Sequence, residues 1–356
     1  MIFEDYFLIL NTVLLIIDVF NQFYYAQSMM LCMDLHDFGP CLITGGAGFI
    51  GSHLAEKLNS LNVHVKILDN FSSGNTSNLE SLSSKKNIEI INDDLNNLDN
   101  IPDLLKNIKT VFHFAAYPEV RTGFEKPEIA YEENIKNTFH LLELIRKSEV
   151  KHIVFSSSSV VYGEADLIPT PETYGPLLPI SPYGGSKLAC EGLISSYCNN
   201  FNIHGVMLRL ANVIGSRSRH GVIWDFLNKL QINSNKLEIL GNGKQTKSYI
   251  HISDCIDGFL FSLINSKNKV DVYNIGNSDK IDVFEIGKIV CNTMNLSQTE
   301  LKTKGGTIDG GGWIGDVTLM LLDISKLKNL GWKPHFTSRE SVIKSSKELF
   351  SELNNL

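Results

Sequence analysis

Tyr183 and Lys187 stand four residues apart in the run Tyr183-Gly184-Gly185-Ser186-Lys187, directly after Pro182. A proline at the first position suits a helix start, and residues four apart on a helix share a face, with Cβ atoms about 5–6 Å apart. Both side chains can then point into one cleft. A free tyrosine titrates near ~10 and is a poor base at neutral pH, but a neighbouring ammonium favours its phenolate. The pair therefore offers proton transfer at a hydroxyl or carbonyl group. Upstream, the serine run Ser156-Ser157-Ser158-Ser159 closes an apolar strand, His152–Ser156. One hydroxyl of the run is expected to reach the reacting oxygen, and the others to satisfy loop backbone.

A second constellation offers a seat for phosphate. Thr44-Gly45-Gly46-Ala47-Gly48-Phe49-Ile50-Gly51 lies between an apolar strand, Cys41–Thr44, and an amphipathic helix, Phe49–Ser60. Gly45 permits the tight turn, Gly48 allows close backbone approach to a pyrophosphate, and Gly51 lets helix and strand pack closely. The helix start adds free N–H groups and positive potential. Asp69 ends the next strand, Val63–Leu68, where a carboxylate accepts from ribose hydroxyls and repels a 2′-phosphate. NAD is therefore expected rather than NADP.

The elements that must position these groups alternate. Strands are predicted at Ile88–Ile91, Val111–Phe114, His152–Ser156 and His204–Leu210, all buried, with a long helix Ile129–Ser148 and another at Tyr183–Asn200. The stretch 70–87 reads as a surface loop with one helical turn. Alternating strands and helices imply an α/β fold, a Rossmann-type doubly wound parallel sheet, with a smaller C-terminal substrate-binding α/β region. The expected division is a doubtful extension at 1–38 and an NAD-binding domain at 39–210, its sheet completed by about 248–292. The substrate-binding region takes 211–247 and 293–356. His113, His251, Trp224 and Trp332 read as packing residues, and Ser253 or Asp254 as a helix cap.

Composition narrows the function classes. With 43% hydrophobic and 20% charged residues, the chain can bury a sizeable core. A net charge of -7 leaves no basic footprint for nucleic acid. The six cysteines form no C-x-x-C pair and no metal-ligand spacing, so no metal is expected; reduced, buried thiols fit a cytoplasmic protein. Phe7–Phe20 is apolar but broken by Asn11 and Asp18, short of the roughly 20 residues a span needs, and Glu4 and Asp5 replace a basic leader region. It reads as sequence ahead of a start at Met29, Met30 or Met33, a weak anchor being the other reading; no membrane partner is expected.

With cradle, serine run and Tyr/Lys pair in this order, the chain resembles the extended short-chain dehydrogenase/reductase family of nucleotide-sugar epimerases and dehydratases. The resemblance covers residues 41 to about 334. It includes Leu68-Asp69-Asn70, His113-Phe114-Ala115-Ala116, Ser156–Gly163, Leu208–Gly215, Tyr249-Ile250-His251 and Leu330-Gly331-Trp332-Lys333-Pro334. It is most similar to the UDP-glucose 4-epimerase branch. The resemblance implies catalytic roles for Ser158, Tyr183 and Lys187. It implies an NAD shell of Gly45, Gly48, Phe49, Ile50, Gly51, Asp69, Asn70, Ser73, Gly74, Asp94, Leu95, Ala115, Ala116 and Asn134, with Tyr183 and Lys187 also at the cofactor, where Lys187 can hold the nicotinamide ribose. Asn212 and Lys247 are implied at a UDP-sugar, alongside Ser158, and Arg121 is the positive group that a UDP-uronate would want near C6. The implied reaction has Tyr183 take the proton from the sugar 4-hydroxyl, helped by Ser158, while NAD carries hydride out and back.

Three departures bear on the substrate. Lys247 replaces an arginine, keeping the charge without the fork geometry. Pro118 stands where many of these epimerases carry a lysine. The arginine usual before Gly315-Asp316 is missing, so Lys244, Lys247 or Arg217 is expected to rebuild the diphosphate contacts. Dehydratases of this family carry Thr-Asp-Glu at the serine run; Ser157-Ser158-Ser159-Val160 has no carboxylate, which disfavours dehydration. UDP-N-acetylhexosamines and UDP-uronates remain open as substrates, as do other sugar oxidoreductions and a non-catalytic NAD-binding role. A homodimer is implied, built from Ile129–Ser148 and Tyr183–Asn200 of each subunit.

Overall fold

The computed structural model describes residues 35–97, 103–119, 123–308, 310–313 and 316–354. The stretch ahead of residue 35, on which the start-or-anchor expectation falls, lies outside them, and so does Arg121.

Seven parallel strands form the central sheet. They are β1 (Cys41–Thr44), β2 (Val65–Asp69), β3 (Ile88–Asn92), β4 (Thr110–His113), β5 (His152–Ser158), β6 (His204–Leu210) and β7 (Val270–Ile275). Their spatial order is β3-β2-β1-β4-β5-β6-β7, with every neighbouring pair parallel. The order reverses at β1, and ligands of such sheets bind outside the carboxyl ends of the strands at that switch. Register aligns those ends: Thr44 faces Leu68 on one side and His113 on the other.

Alternating residues of the strands feed two cores, one on each face. Leu42, Val111 and Ile153 pack on one side with Leu141, Leu142 and Ile194. Ile43, Phe112 and Val154 pack on the other with Leu54, Leu58 and Phe259. A sheet buried on both faces has continuous apolar strands, which is why these segments were legible. The strand expected at Ile88–Ile91 is different: it is the sheet edge, and Ile90 is exposed because only one side carries a neighbour.

The helices bearing the site are α1 (Phe49–Ser60), α2 (Asn137–Ile145) and α3 (Pro182–Asn200). The long helix expected from Ile129 to Ser148 is instead composite. A turn at Pro127–Ala130 leads into a π-helical segment, Tyr131–Lys136, before α2. Pro182 opens α3, and Ser181 caps it by accepting from the Gly184 N–H at 3.1 Å. Between β2 and β3 the one helical turn expected is Thr76–Leu79, of the 3₁₀ kind.

A third core joins α4 (Val222–Ile232), α6 (Val283–Thr293) and α7 (Ser338–Asn354) through Phe226, Leu227, Ile286, Val290, Val342 and Leu349. Between α4 and α6, α5 (Ile252–Asn265) packs on the main sheet. The cap of α5 is His251, which accepts from the Ser253 N–H, rather than Ser253 or Asp254. Asp254 instead receives the backbone N–H groups of His335 and Phe336 at 2.9 and 3.1 Å.

Candidate active site

A cavity of about 1010 Å³ opens between the carboxyl edge of the sheet and the α4 region. Most of the sequence-predicted cofactor residues line it: Gly45, Gly48, Phe49, Ile50 and Gly51 from the cradle; Asp69, Asn70, Ser73 and Gly74 after β2; Asp94 and Leu95 after β3; Ala115 and Ala116 after β4. Asn212 and Lys247 line it from the second half.

The cradle has the form a pyrophosphate needs. Gly45 has φ +69, and a Cβ there would stand 2.7 Å from the Ala115 nitrogen. At Gly48 a Cβ would meet only the Gly45 carbonyl, at 3.2 Å, so a side chain would fill the space before the helix start. The helix α1 has no side-chain cap and no acid in its first turn, leaving its N–H groups and dipole for an anion. Asp69 is the last residue of β2, and its two oxygens accept from the Ala47 and Phe71 N–H groups, each at 2.8 Å. Burial pushes its carboxyl above the usual range, and these two backbone bonds offset only part of the rise. Each oxygen keeps further lone-pair capacity toward the cavity it lines.

The proton-transfer trio meets at the end of β5. Lys187 is buried, donates to the Ser156 carbonyl at 2.9 Å, and lies 4.8 Å from the Phe155 ring and 5.7 Å from the Tyr183 ring. Ser158 is hydrogen-bonded to Tyr183 and also accepts from the Val160 N–H at 3.4 Å. Ser158, Tyr183 and Lys187 are not themselves among the residues lining the cavity; Ser156, Ser159 and Val160 are. The trio stands against that wall through the Ser156 carbonyl.

The electrostatics correct one expectation. Burial pushes the Tyr183 hydroxyl well above its ordinary range, and the Ser158 hydrogen bond pulls the other way. The Lys187 ammonium does not offset the burial. Burial also lowers Lys187, from 10.5 to about 8. The trio by itself therefore favours a protonated tyrosine, and a further positive charge is needed to favour the phenolate.

Of the remaining serines, Ser157 donates to Glu191 at 2.5 Å, and Ser156 reaches the His113 carbonyl only at 3.5 Å. Glu191 in turn holds Arg209 through bonds of 3.0 and 2.7 Å, so β5, β6 and α3 are tied at one buried point. Asn134 sits beside the trio but not on the cavity. It accepts from the Tyr117 N–H at 2.7 Å and donates to Ser186 at 2.8 Å, so its amide positions the loop after β4 against α3.

His113 is the core residue expected. Its ring bridges Thr44 at 2.8 Å and Thr138 at 2.9 Å. Burial, helped by Lys187, lowers it from 6.5 to about 3. Between those values the unfolded chain binds a proton that the folded chain refuses, so stability falls as pH drops from 6.5 toward 3. One such group steepens the fall by about 1.4 kcal/mol per pH unit. Urea unfolding across this range should therefore be steeper for the wild type than for His113→Gln; equal slopes would reject the assignment.

In the second half, Lys247 pairs with Asp316 at 2.6 Å and lies 5.6 Å from the Trp313 ring. Arg217 lines the cavity, but its guanidinium binds Glu56 at 2.5 Å and Ser52 at 3.1 Å; Lys244 does not line it. Trp224, expected as packing, lines the cavity with Arg219 stacked 4.5 Å from its ring, whereas Trp332 is buried in the core. Sequence reasoning also missed Glu119 and His220, paired at 3.0 Å, and Glu133 and Asn137. Asn137 follows Asn134 by three positions, so helical spacing alone would have placed it on the neighbouring face.

The family described as GDP-mannose 4,6 dehydratase matches residues 42–345. A putative UDP-glucose 4-epimerase of Methanocaldococcus jannaschii is 36% identical over 306 residues, 85% of this chain and 95% of that protein. A crystal structure of a UDP-galactose 4-epimerase has a TM-score of 0.78 at 38% identity, covering 88% of this chain and 99% of that one. The UDP-glucuronic acid 4-epimerase of Bacillus cereus, in complex with UDP-glucuronic acid and NAD, has a TM-score of 0.79 at 30% identity, covering 88% and 99%. The glycine cradle, the strand order and the serine–tyrosine–lysine corner thus have one common origin: this chain belongs to the GDP-mannose 4,6 dehydratase family, the NAD-dependent nucleotide-sugar epimerases and dehydratases of the extended short-chain dehydrogenase/reductase kind.

Proposed function

We propose that this protein is an NAD-dependent 4-epimerase of UDP-hexoses, interconverting UDP-galactose and UDP-glucose. The observation that carries the reading is the corner at the end of β5. There a serine hydroxyl, a phenol and an ammonium meet, and the run Ser156–Ser159 contains no carboxylate. Removing and restoring one proton at a hydroxyl needs only such a trio, whereas expelling water needs an acid and a base as well.

NAD, when bound, supplies the reversible hydride chemistry and a cationic ring. The cradle glycines with Phe49 and Ile50 would hold its phosphates. Asp69 and Asn70 would hold its ribose, and Ser73, Gly74, Asp94, Leu95, Ala115 and Ala116 the surrounding walls. Tyr183 takes and returns the proton at the sugar 4-oxygen, Ser158 holds that oxygen, and Lys187 keeps positive charge beside the phenol. Asn212 and Lys247 take the diphosphate, and residues 211–247 and 293–356 form the substrate side. Lys247 and its partner Asp316 both line the cavity. The five described cysteines are free and buried, and among the described residues no helix is long and apolar enough to cross a membrane. A reducing cytoplasm is the location we assign.

The test is to incubate the purified protein with UDP-galactose and no external reductant. Appearance of UDP-glucose supports the reading. Bound NAD without conversion overturns the UDP-hexose assignment and moves the same assay to N-acetylated and uronic UDP-sugars.

The proposal includes a homodimer. Phe139 on α2 and Phe201 at the end of α3 are exposed, with Tyr197 and Arg146 packed beside Phe201. An apolar strip on two adjacent helices suits a bundle with a second copy. Light scattering should give a dimer for the wild type and a monomer for Phe139→Glu; a monomeric wild type would reject the assembly.

A further inference from the structure

Tyr183, Lys187 and Glu191 follow one another at intervals of four residues on α3, so they form one stripe of the helix. Each grips a different one of the last three residues of β5. Tyr183 is hydrogen-bonded to Ser158, Lys187 donates to the Ser156 carbonyl at 2.9 Å, and Glu191 accepts from the Ser157 hydroxyl at 2.5 Å. The first two rungs belong to the trio. The third is a carboxylate buried one helical turn beyond Lys187, and burying a charge is costly unless it is paired.

The use of that carboxylate lies in how loosely the end of β5 is otherwise held. Pairing with β4 stops at Phe155, while pairing with β6 runs on to Ser158. Ser156–Ser158 therefore have a strand on one side only, and Ser156 lines the cavity. Ser158 accepts from the Val160 N–H only at 3.4 Å, too long to fix its side chain firmly. Glu191 supplies the restraint. Its Oε1 accepts from both Ser157 Oγ, at 2.5 Å, and Arg209 Nε, at 3.0 Å; its Oε2 accepts from Arg209 Nη2 at 2.7 Å. Ser157 and Arg209 are register partners in β5 and β6, so one carboxylate clamps both strands to α3. Side chains alternate along a strand, so holding Ser157 toward α3 sends Ser158 the other way. An apolar pair in place of Glu191 and Arg209 can fill the space at no loss of stability, but only an acceptor can hold the Ser157 hydroxyl. We infer that Glu191, locked by Arg209, is a positioning residue that acts through Ser157 to aim the Ser158 hydroxyl at the reacting oxygen. This rests on the reading of Ser158 and Tyr183 as proton-transfer groups.

Removing Glu191 would strand Arg209, so the experiment acts on Ser157 and leaves the buried pair intact. Ser157→Ala should stay folded and lower kcat about 10-fold, with KM and NADH affinity unchanged, because the loss falls on orientation in the transition state. Ser158→Ala should lower kcat by about 10²- to 10³-fold, the range for one donor at a reacting oxygen. Adding Ser157→Ala to Ser158→Ala should cost nothing more, since its effect passes through the hydroxyl already removed. A Ser157→Ala variant with wild-type kcat, or losses that multiply in the double variant, overturns the inference while leaving the trio in place. Wild-type turnover by Ser158→Ala overturns the reading of the trio, and the inference with it. Turnover is read on whichever UDP-sugar the wild type converts, so failure of UDP-galactose alone leaves the comparison standing. A wild type that converts none overturns the epimerase reading and the inference together.

Discussion

Tyr183→Phe is expected to lower the turnover of UDP-galactose by about 10²- to 10⁴-fold, the range that a positioned proton-transfer group contributes. The substitution removes one oxygen and little volume, so the cradle, Lys187 and the Ser156 carbonyl stay in place. NADH affinity should therefore change little, and the loss should fall on kcat rather than KM. The size of the effect follows from the local electrostatics. Burial holds the Tyr183 hydroxyl in its protonated form, and only the Ser158 bond works against this. Lys187, lowered to about 8, still carries its proton at neutral pH. A phenol so placed ionises when further positive charge arrives with the cofactor, and phenylalanine has nothing to ionise. Steady-state kinetics on both proteins, with NAD content measured alongside, would decide. Turnover within a few-fold of wild type would remove Tyr183 from the reaction.

The second large effect concerns stability. Glu191 and Arg209 are 6% and 5% exposed and form a two-pronged pair, with Ser157 on the same carboxylate. Arg209 also lies 4.7 Å from the Tyr162 ring and donates to the Glu172 carbonyl. Glu191→Ala leaves that guanidinium buried and unpaired, which costs about 3–5 kcal/mol. Adding Arg209→Met removes the stranded charge and should recover most of the loss. Urea midpoints for the two single variants and the double variant test this. Additive losses would mean that the pair is not coupled.

The parallel, doubly wound sheet and the identity of the cradle were legible because both rest on local rules. Buried parallel strands read as apolar runs, and the tight turn demands glycine at Gly45. The Tyr183–Lys187 pair was legible from spacing, since Pro182 sets the start of α3, whereas Ser158 was singled out only by the resemblance. What escaped were contacts fixed by distant residues. No periodicity reveals that Asn134 spends its amide on Tyr117 and Ser186, or that Trp224 faces the cavity rather than a core. The π-helical segment escaped because its extra residue per turn leaves no mark in the apolar pattern. Tyr183 was misjudged in sign: proximity to a lysine was visible, but the burial that outweighs it was not.

The seventh strand has a consequence for synthesis. β7 pairs with Gly205–Leu210 of β6 but follows it in the chain only after α4 and α5. A nascent chain that has reached Leu210 thus carries six strands and an open, apolar sheet edge. That edge stays a template for wrong pairing until Val270–Ile275 leaves the ribosome. Engineered chains that stop after β6 should accordingly need chaperones, and a circular permutant that places β7 before β1 would relieve the delay.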